Sequence, residues 1–381
     1  MNWIALKMLV GDRTKFLGLV FGIAFATVLI AQQGSIFIGV MKRTASFIYA
    51  IRDADIWVMD KQVDNLDIID PLRDTALNMV RTVPGVQWAA PLLKIIAIAK
   101  PTDGVLNQAT VIGLDDPSLA GAPTLLKAGN IEDLRRADAI IVDTIGYNLL
   151  WPQDHGHYKL GRTLELNDHR AVLVGVADTM PSFQFAPIIY TRYSNALNFT
   201  NGGRKRMSFI LVKAQPGYSP EEVAGKIEKT TPLRALTRPQ FKRSTIRYYI
   251  ENTGIPVNFG VTVSLGLIVG STIVGLLLNM FVSDNIRQFG ALKAMGIANR
   301  RLMSIVLVQS LVVFAIGFSL GSGVATLFFR ITGNTYALKG LYMPWFMLAI
   351  TGGLIFVVTI LSSMFSLRRV LRIDPAIVFK G

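Results

Sequence analysis

The sequence predicts a membrane α-helical protein with four transmembrane helices and a large α+β extracytoplasmic domain between helices 1 and 2. Hydrophobic residues make up 51% of the 381 residues and charged residues only 17%. The mean hydropathy is +0.43. The apolar excess collects near the N-terminus and in the last third of the chain, in four segments long enough to cross a bilayer as helices. Residues 43 to 252 have an ordinary globular composition.

The distribution of charge orients these helices. The formal net charge is +14, and its unbalanced part flanks the apolar segments. The flanking residues are Lys7, Arg13, Lys15, Arg287, Lys293, Arg300, Arg301, Arg368, Arg369, Arg372 and Lys380. Because Lys and Arg next to a span favour the cytoplasmic side, both termini are predicted to be cytoplasmic. This placement accounts for the basic excess, so we expect no nucleic-acid partner.

The four spans divide the chain into nine segments. These are a cytoplasmic N-terminal segment (1–15), helix 1 (16–41), the extracytoplasmic domain with its stalk (42–256), helix 2 (257–283), a cytoplasmic loop (284–301), helix 3 (302–330), an outer loop (331–343), helix 4 (344–367) and a cytoplasmic tail (368–381). Ala24-Phe25-Ala26 resembles a signal-peptide cleavage site, but the apolar run is too long and continues past it. The N-terminal segment, with Trp3 as an interfacial anchor, is either a helix on the membrane surface or the start of the first span.

The segment between the first two spans mixes strand and helix patterns. Strands are predicted at 55–60, 86–100, 108–114, 139–142, 161–166, 171–176, 188–190 and 206–213, and helices at 70–83, 144–150 and 220–229. Ser219 is the expected N-cap of the last helix, ahead of Pro220. This α+β domain of about 210 residues is large enough for two lobes.

The sequence lacks the motifs of nucleotide and acyl-transfer chemistry. Gly-x-Gly pairs occur only within apolar segments and lack the Lys-Ser/Thr of a phosphate-binding loop. Neither a Gly-x-Ser-x-Gly nor a His-Glu-x-x-His motif occurs, and the absence of cysteine excludes disulfides and thiolate chemistry. We therefore expect no catalytic residues, no cofactor and no metal in this chain. A membrane-anchored enzyme is the alternative, but no nucleophile, base and orienting group can be assembled.

His155 and His157 are of a residue type that could bind a metal ion or contact haem. They lie in a turn rich in Pro, Gly and Asp, without an acidic or cysteine cluster at helical spacing. We favour a solvated loop for both histidines.

Polar residues are few within the apolar segments. Gln32, Gln33 and Asn279 are candidates for facing a second copy of the chain or a substrate path. For the two glutamines, a position near the outer interface is the interpretation we favour. An ionisable residue is missing at mid-depth of every segment, which argues against ion-coupled transport and against charged selectivity rings. The energy for any transport would therefore have to come from outside the membrane-spanning segments.

The cytoplasmic loop is the candidate entry point for that energy. Ile286, Phe289, Leu292 and Met295 fall at helical spacing and predict an amphipathic helix with an apolar stripe. Gly296 is a reasonable stop for it. The stripe is predicted either to lie on the membrane surface or to dock in a partner's groove.

A family resemblance decides between these two roles. The stretch 287–296, Arg-Gln-Phe-Gly-Ala-Leu-Lys-Ala-Met-Gly, followed by 300–309, resembles the inner-loop signature of FtsX-like ABC transporter permeases. The tail Arg372-Ile373-Asp374-Pro375-Ala376 is similar to the ending of that family. The order of one helix, a large external domain and three helices matches the MacB-type (type VII) architecture. Residues 55–60, 236–241 and 291–296 are most similar to the DevC and HrtB-like branch.

The resemblance implies a permease subunit that transmits motion across the membrane. The loop would carry a coupling helix that meets a separate ABC ATPase, which binds the ATP and Mg. The docking residues would be Arg287, Phe289, Gly290, Leu292, Lys293, Met295 and Gly296. Further expected partners are a second copy of the chain, a membrane fusion (adaptor) protein, an outer-membrane channel and the lipid bilayer of a bacterial inner membrane. The alternative is an FtsX/LolC-like signalling or lipoprotein-releasing permease that acts on a periplasmic client.

Overall fold

The computed structural model of the protein describes residues 2–200, 207–333, 335, 338–339 and 341–371. It divides into a helical unit, residues 1–39 and 254–381, and a middle domain, residues 40–253. The tail motif at 372–376 lies outside the described residues, as do the side chains of Arg368 and Arg369.

The elements of the described residues follow in chain order. The helices are α1 Asn2–Gly11, α2 Arg13–Thr44, α3 Ser46–Ala50, α4 Asp74–Arg81, α5 Thr144–Leu150, α6 Tyr193–Asn198, α7 Pro220–Thr230, α8 Arg238–Asn252, α9 Ile255–Asp284, α10 Ile286–Ala294, α11 Asn299–Thr332 and α12 Trp345–Leu371. The strands are β1 Ile56–Met59, β2 Val86–Pro101, β3 Asn107–Leu114, β4 Leu126–Gly129, β5 Ala139–Asp143, β6 Thr163–Leu166, β7 His169–Ala177, β8 Ile188–Arg192, β9 Phe209–Ala214 and β10 Arg234–Thr237. Short 3₁₀ turns occur at Ile131–Arg135 and Pro152–Asp154.

Four described helices, α2, α9, α11 and α12, are long and apolar enough to cross a membrane. The predicted number of spans is confirmed. Helix α2 extends beyond its apolar run at both ends, because its hydrogen bonding continues into polar flanks. The backbone N–H of Lys15 donates to Asp12 Oδ1 at 3.2 Å, so Asp12 caps the start of this helix.

Small residues bring the helices of the helical unit close together. A Cβ at Gly270 of α9 would lie 2.4 Å from the Cβ of Ala26 on α2. At Gly321 of α11 it would lie 2.6 Å from the Ala24 carbonyl oxygen. Such approach is typical of helix packing in lipid, where van der Waals contact replaces the hydrophobic effect. The close contacts surround a buried cluster that includes Leu19, Ile23, Val274, Leu278 and Val313.

A ten-stranded mixed sheet organises the middle domain, in the order β10-β1-β9-β2-β3-β8-β5-β7-β4, with β6 pairing β2 and β7. Strand β2 belongs to both halves of this sheet. Its first part pairs with β9, and its second part pairs with β3 and β6. The predicted α+β class is confirmed.

The middle domain also differs from the sequence prediction. Helix α4 begins at Asp74 rather than at residue 70, since residues 70–73 include the extended, bridged segment at Leu72. Strands β4 and β10 and helices α6 and α8 were not predicted. They are short or polar, as in α8, whose start is fixed by a capping box between Thr237 and Gln240.

Candidate functional site

Helix α10 lies between α9 and α11, in the loop that the sequence analysis predicts to be cytoplasmic, and its end is defined by Gly296. Gly296 has φ +83°, a conformation that glycine adopts without strain. Its N–H donates to the Lys293 carbonyl at 3.0 Å, and the N–H of Ile297 donates to the Leu292 carbonyl at 3.2 Å. These two bonds form a Schellman motif, which satisfies the last carbonyls of the helix. The predicted helix stop at Gly296 is confirmed.

Phe289 fixes the position of α10. Its side chain is fully buried, in a cluster with Val282, Leu302, Ile305 and Val306. Phe289 therefore differs from the other predicted docking residues in that its side chain packs on the neighbouring ends of α9 and α11 and anchors α10.

The other predicted docking residues divide between two faces of the loop. Gly290 is buried, and Leu292 is half-buried and packs against the Phe289 cluster. Lys293 is half-buried, whereas Arg287, Gly296 and Met295 are exposed, with Met295 at 71%. The exposed face therefore combines one apolar side chain with positive charge, and it continues into exposed Arg300 and Arg301.

An ion-pair network joins the start of α2 to the end of α9, next to α10. Lys15 Nζ lies 2.7 Å from Asp12 Oδ2 and is also paired with Asp284. The hydrogen bond from the Lys15 side chain is the main cause that lowers the pKa of Asp12. Asp12 is the single residue between α1 and α2, so the network links the α1–α2 junction to the end of α9.

A groove of about 720 Å³ lies beside this network. Its lining residues come from α1, from the turn after α1 and from the α9–α10 junction. They are Trp3, Lys7, Met8, Gly11, Asp12, Asp284, Asn285 and Gln288. Sequence reasoning did not predict this groove, because it joins residues 3–12 to residues 284–288.

The structure does not bring the predicted intramembrane polar residues into this site. Gln32, Gln33 and Asn279 are half-buried within α2 and α9. A fourth polar side chain, Gln309 of α11, is 1% exposed and was not singled out from the sequence. The sequence alone could have indicated Gln309, since it is a strongly polar residue inside a predicted span.

Two of the three histidines of the middle domain, His155 and His157, lie on an exposed turn. His155 has φ +49°, and both side chains are exposed. Among the described residues, no three His, Cys, Asp or Glu side chains are grouped so that they could hold a metal ion. The turn is built on Asp154, whose buried carboxylate accepts hydrogen bonds from Tyr147, Lys159 and Arg162 at 2.6, 2.8 and 3.0 Å.

Comparisons with known proteins agree with this architecture. The FtsX-like permease C-terminal family matches residues 260–375. The MacB-like periplasmic core domain family matches residues 16–230, more than half of the chain. The class is thus a permease of ABC transporters, which implies an ATPase partner. The chain belongs to the FtsX-like, MacB-type family of ABC transporter permeases.

Relatives of the chain include two sequences of Mycobacterium tuberculosis. They are the uncharacterized ABC transporter permeases MT0078 of strain CDC 1551 / Oshkosh and Rv0072 of strain ATCC 25618 / H37Rv. Each is 24% identical over 316 residues, which covers 82% of this chain and 80% of the relative.

Two solved structures are also similar to this chain. The periplasmic region of MacB from Actinobacillus actinomycetemcomitans is 17% identical, with 54% of this chain and 96% of that one covered and a TM-score of 0.37. The extracellular domain of the transporter YknZ from Gram-positive bacteria is 13% identical, with 48% and 98% covered and a TM-score of 0.36. Both TM-scores are below 0.5, so these likenesses decide nothing about function.

Proposed function

We propose that the chain is the permease subunit of an ATP-driven exporter whose ATPase is a separate polypeptide. In this proposal the ATPase docks on the exposed face of α10 and in the groove beside α1. The observation that supports it most directly is the anchoring of α10 by Phe289. Because α10 is fixed to the ends of α9 and α11, a displacement of α10 by a docked partner can be transmitted to both membrane helices.

Mechanotransmission is the mechanism we propose for the coupling. ATP-driven closure of two ATPase subunits would move the α10 helices of a permease homodimer. The motion would then pass along the spans to the middle domain, which acts on the substrate outside the membrane. Both termini would be cytoplasmic and the membrane would be the bacterial inner membrane. A membrane fusion protein and an outer-membrane channel would complete the route.

Charge reversal on the exposed face tests the docking site. The double variant Arg287→Glu, Met295→Asp changes two exposed side chains and leaves the Phe289 cluster intact. We expect it to lose co-purification with the ATPase in mild detergent and to lose permease-dependent ATP hydrolysis. Arg330→Glu, at the other end of α11, is the matched control and should retain both. Normal complex formation and hydrolysis in the double variant would place the ATPase elsewhere.

The same complex distinguishes export from the signalling or lipoprotein-releasing alternative. An adaptor protein in the purified complex supports export. A periplasmic hydrolase or lipoprotein carrier in its place supports the alternative.

A further inference from the structure

The loop of residues 178–187, between β7 and β8, contacts both chain segments that connect the middle domain to the membrane helices. On one side, the guanidinium carbon of Arg43, in the last turn of α2, lies 4.9 Å from the centroid of the Phe185 ring. On the other side, the ring centroids of Phe183 and Tyr249 are 5.1 Å apart, and Tyr249 belongs to the last turn of α8. The loop therefore bridges the two connections.

Helix α2 indicates where this loop lies relative to the bilayer. The helix is continuous from Arg13 to Thr44, and its charge-free run covers residues 16–41. At a rise of about 1.5 Å per residue, Arg43 lies only about 3 Å beyond that run. Cations next to the end of a span extend to the interface between hydrocarbon and water. The Phe185 ring, which contacts Arg43, is therefore close to the membrane surface.

Phe185 has an unusual backbone conformation for an aromatic residue. Its φ is +55°, in the left-handed region that glycine and asparagine adopt most readily. The side chain is nevertheless 41% exposed, so burial within the chain does not account for a bulky residue at this position. A strained residue of this kind points to a function for the segment that contains it.

Two hydrogen bonds within the loop fix the shape that presents its apolar side chains. The backbone N–H of Phe185 donates to the Ser182 carbonyl, and the Ser182 hydroxyl donates to the Ala186 carbonyl, both at 3.2 Å. Met180, which is 40% exposed, and Phe185 are the large apolar side chains that the loop exposes. Because the loop is already ordered, a contact made by these two side chains costs little conformational entropy.

A lipid surface suits these two side chains better than a protein does. Each partner of a stable protein interface buries roughly 800 Å², far more than two side chains supply. Apolar side chains that enter the interfacial region of a bilayer need no such area. The contact would also continue an existing one, because α9 begins with apolar side chains that face outward from the helical unit. Val257 is 68% exposed and Val261 is 53% exposed.

We propose that the loop of residues 178–187 is a membrane contact of the middle domain. Met180 and Phe185 enter the interfacial region of the leaflet that faces this domain, and Arg43 holds the Phe185 ring at that level. The partner is the lipid surface itself. The contact requires that α2 crosses the membrane, and it does not depend on ATPase docking.

Spin labelling of the full-length chain in lipid vesicles tests the contact, since the sequence contains no cysteine. Gln184→Cys places a nitroxide on an exposed position beside Phe185 and leaves both apolar side chains intact. Tyr218→Cys is the matched control, because Tyr218 is 39% exposed and has Lys226 over its ring, on the turn between β9 and α7.

The readout is the accessibility of each nitroxide to oxygen, which concentrates in lipid, relative to a water-soluble nickel chelate. The vesicles consist of phosphatidylethanolamine and phosphatidylglycerol. We expect the ratio of oxygen to nickel accessibility at position 184 to exceed that at position 218 by about threefold, because a polar chelate enters apolar surroundings unfavourably.

Variants of the loop separate the contact from the fold. Met180→Asn with Phe185→Asn should lower the ratio at position 184 to that at position 218. The melting temperature should be retained or raised, because asparagine adopts a positive φ more readily than phenylalanine. Met180→Asn alone changes only an exposed side chain and should give an intermediate ratio. Met180→Leu with Phe185→Tyr keeps an apolar side chain and a ring, and should retain the full ratio.

Three results would overturn the proposal. These are equal ratios at positions 184 and 218, a ratio at position 184 that ignores the asparagine variants, and spin–spin broadening between labels at position 184 of two chains. The last result would place a second copy of the chain on this face. A high ratio in a chain that fails to bind the ATPase would support the membrane contact and count against the proposed function alone.

Discussion

Lys15, in the first turn of α2, is ion-paired with Asp284, the last residue of α9 and 269 positions further along the chain. The pair closes the helical unit at the place where α10 begins. Both side chains are partly exposed, at 21% and 56%, so the contact is screened by solvent.

Neutralising this pair should affect positioning more than stability. For Asp284→Asn we expect little change in the free energy of unfolding, because solvent screens exposed ion pairs. Permease-dependent ATP hydrolysis should fall and become less sensitive to salt, because a screened contact has been removed. Glu251→Gln, whose ion pair with Arg247 is more exposed, at 77% and 64%, should leave hydrolysis unchanged. Identical salt profiles for Asp284→Asn and the wild type would contradict a positioning role.

Removal of the Phe289 ring should release α10. Burial of Phe289 is complete, and truncation of a buried phenylalanine to alanine costs about 3–5 kcal/mol. We expect Phe289→Ala to lower the melting temperature and to uncouple hydrolysis. Met295→Ala should keep the melting temperature, since its side chain is 71% exposed. A Phe289→Ala protein with a wild-type melting temperature would mean that the cluster does not hold the helix.

Two glycines of the same helix should respond in opposite ways to a single added methyl group. At Gly270 a Cβ would lie 2.4 Å from the Ala26 Cβ, whereas at Gly260 nothing lies within 4 Å. Gly270→Ala should therefore destabilise the helical unit by about 1–3 kcal/mol through overpacking. Gly260→Ala should be neutral or slightly stabilising, because alanine favours helix. Thermal unfolding in detergent measures both, and equal effects would argue against close packing of α2 on α9.

The absence of cysteine from the sequence makes the proposed topology directly measurable. Lys61→Cys of the middle domain and Gln288→Cys of α10 each introduce one exposed thiol. In intact cells an impermeant maleimide should label position 61 and leave position 288 unlabelled. Both should be labelled after the membrane is opened. The reverse pattern in intact cells would invert the topology.

The Asp154 network should make the middle domain sensitive to acid. Burial by itself raises the pKa of Asp154, but hydrogen bonds from Lys159 and Tyr147 and the charge of Arg162 outweigh it and lower the pKa. A lowered pKa contributes stability above the pKa of the unfolded chain, about 3.9, and this stability is lost as the pH falls through the folded value.

The corresponding measurement compares Asp154→Asn with the wild type across pH. The destabilisation by Asp154→Asn should be constant from about pH 7 to 5 and should shrink below about pH 4. Thermal unfolding of both proteins at each pH measures the difference. Asp168→Asn, on an exposed turn, is the control. If the difference in stability between Asp154→Asn and the wild type persisted unchanged at pH 3, the ionised Asp154 carboxylate would not be stabilised by its hydrogen-bond partners.

The sequence was sufficient for the spans and for α10, since charge-free runs and the Gly296 stop are local signals. It did not indicate the burial of Phe289, because helical spacing reveals an apolar stripe without revealing what covers it. The groove between α1 and α10 depends on residues far apart in the chain. Neither hydrophobic periodicity nor local motifs contain that information.

The sixteen residues of β2 have a mechanical consequence. Neighbouring strands of a sheet can peel apart by breaking their hydrogen bonds in turn, but the two halves of this sheet share one covalent backbone. A load applied to either half reaches the other through peptide bonds, at the junction between Leu92 and Leu93, where pairing passes from β9 to β3. The middle domain should therefore tilt or twist as one rigid body. Cutting the chain within β2 should mechanically uncouple the two halves of the sheet.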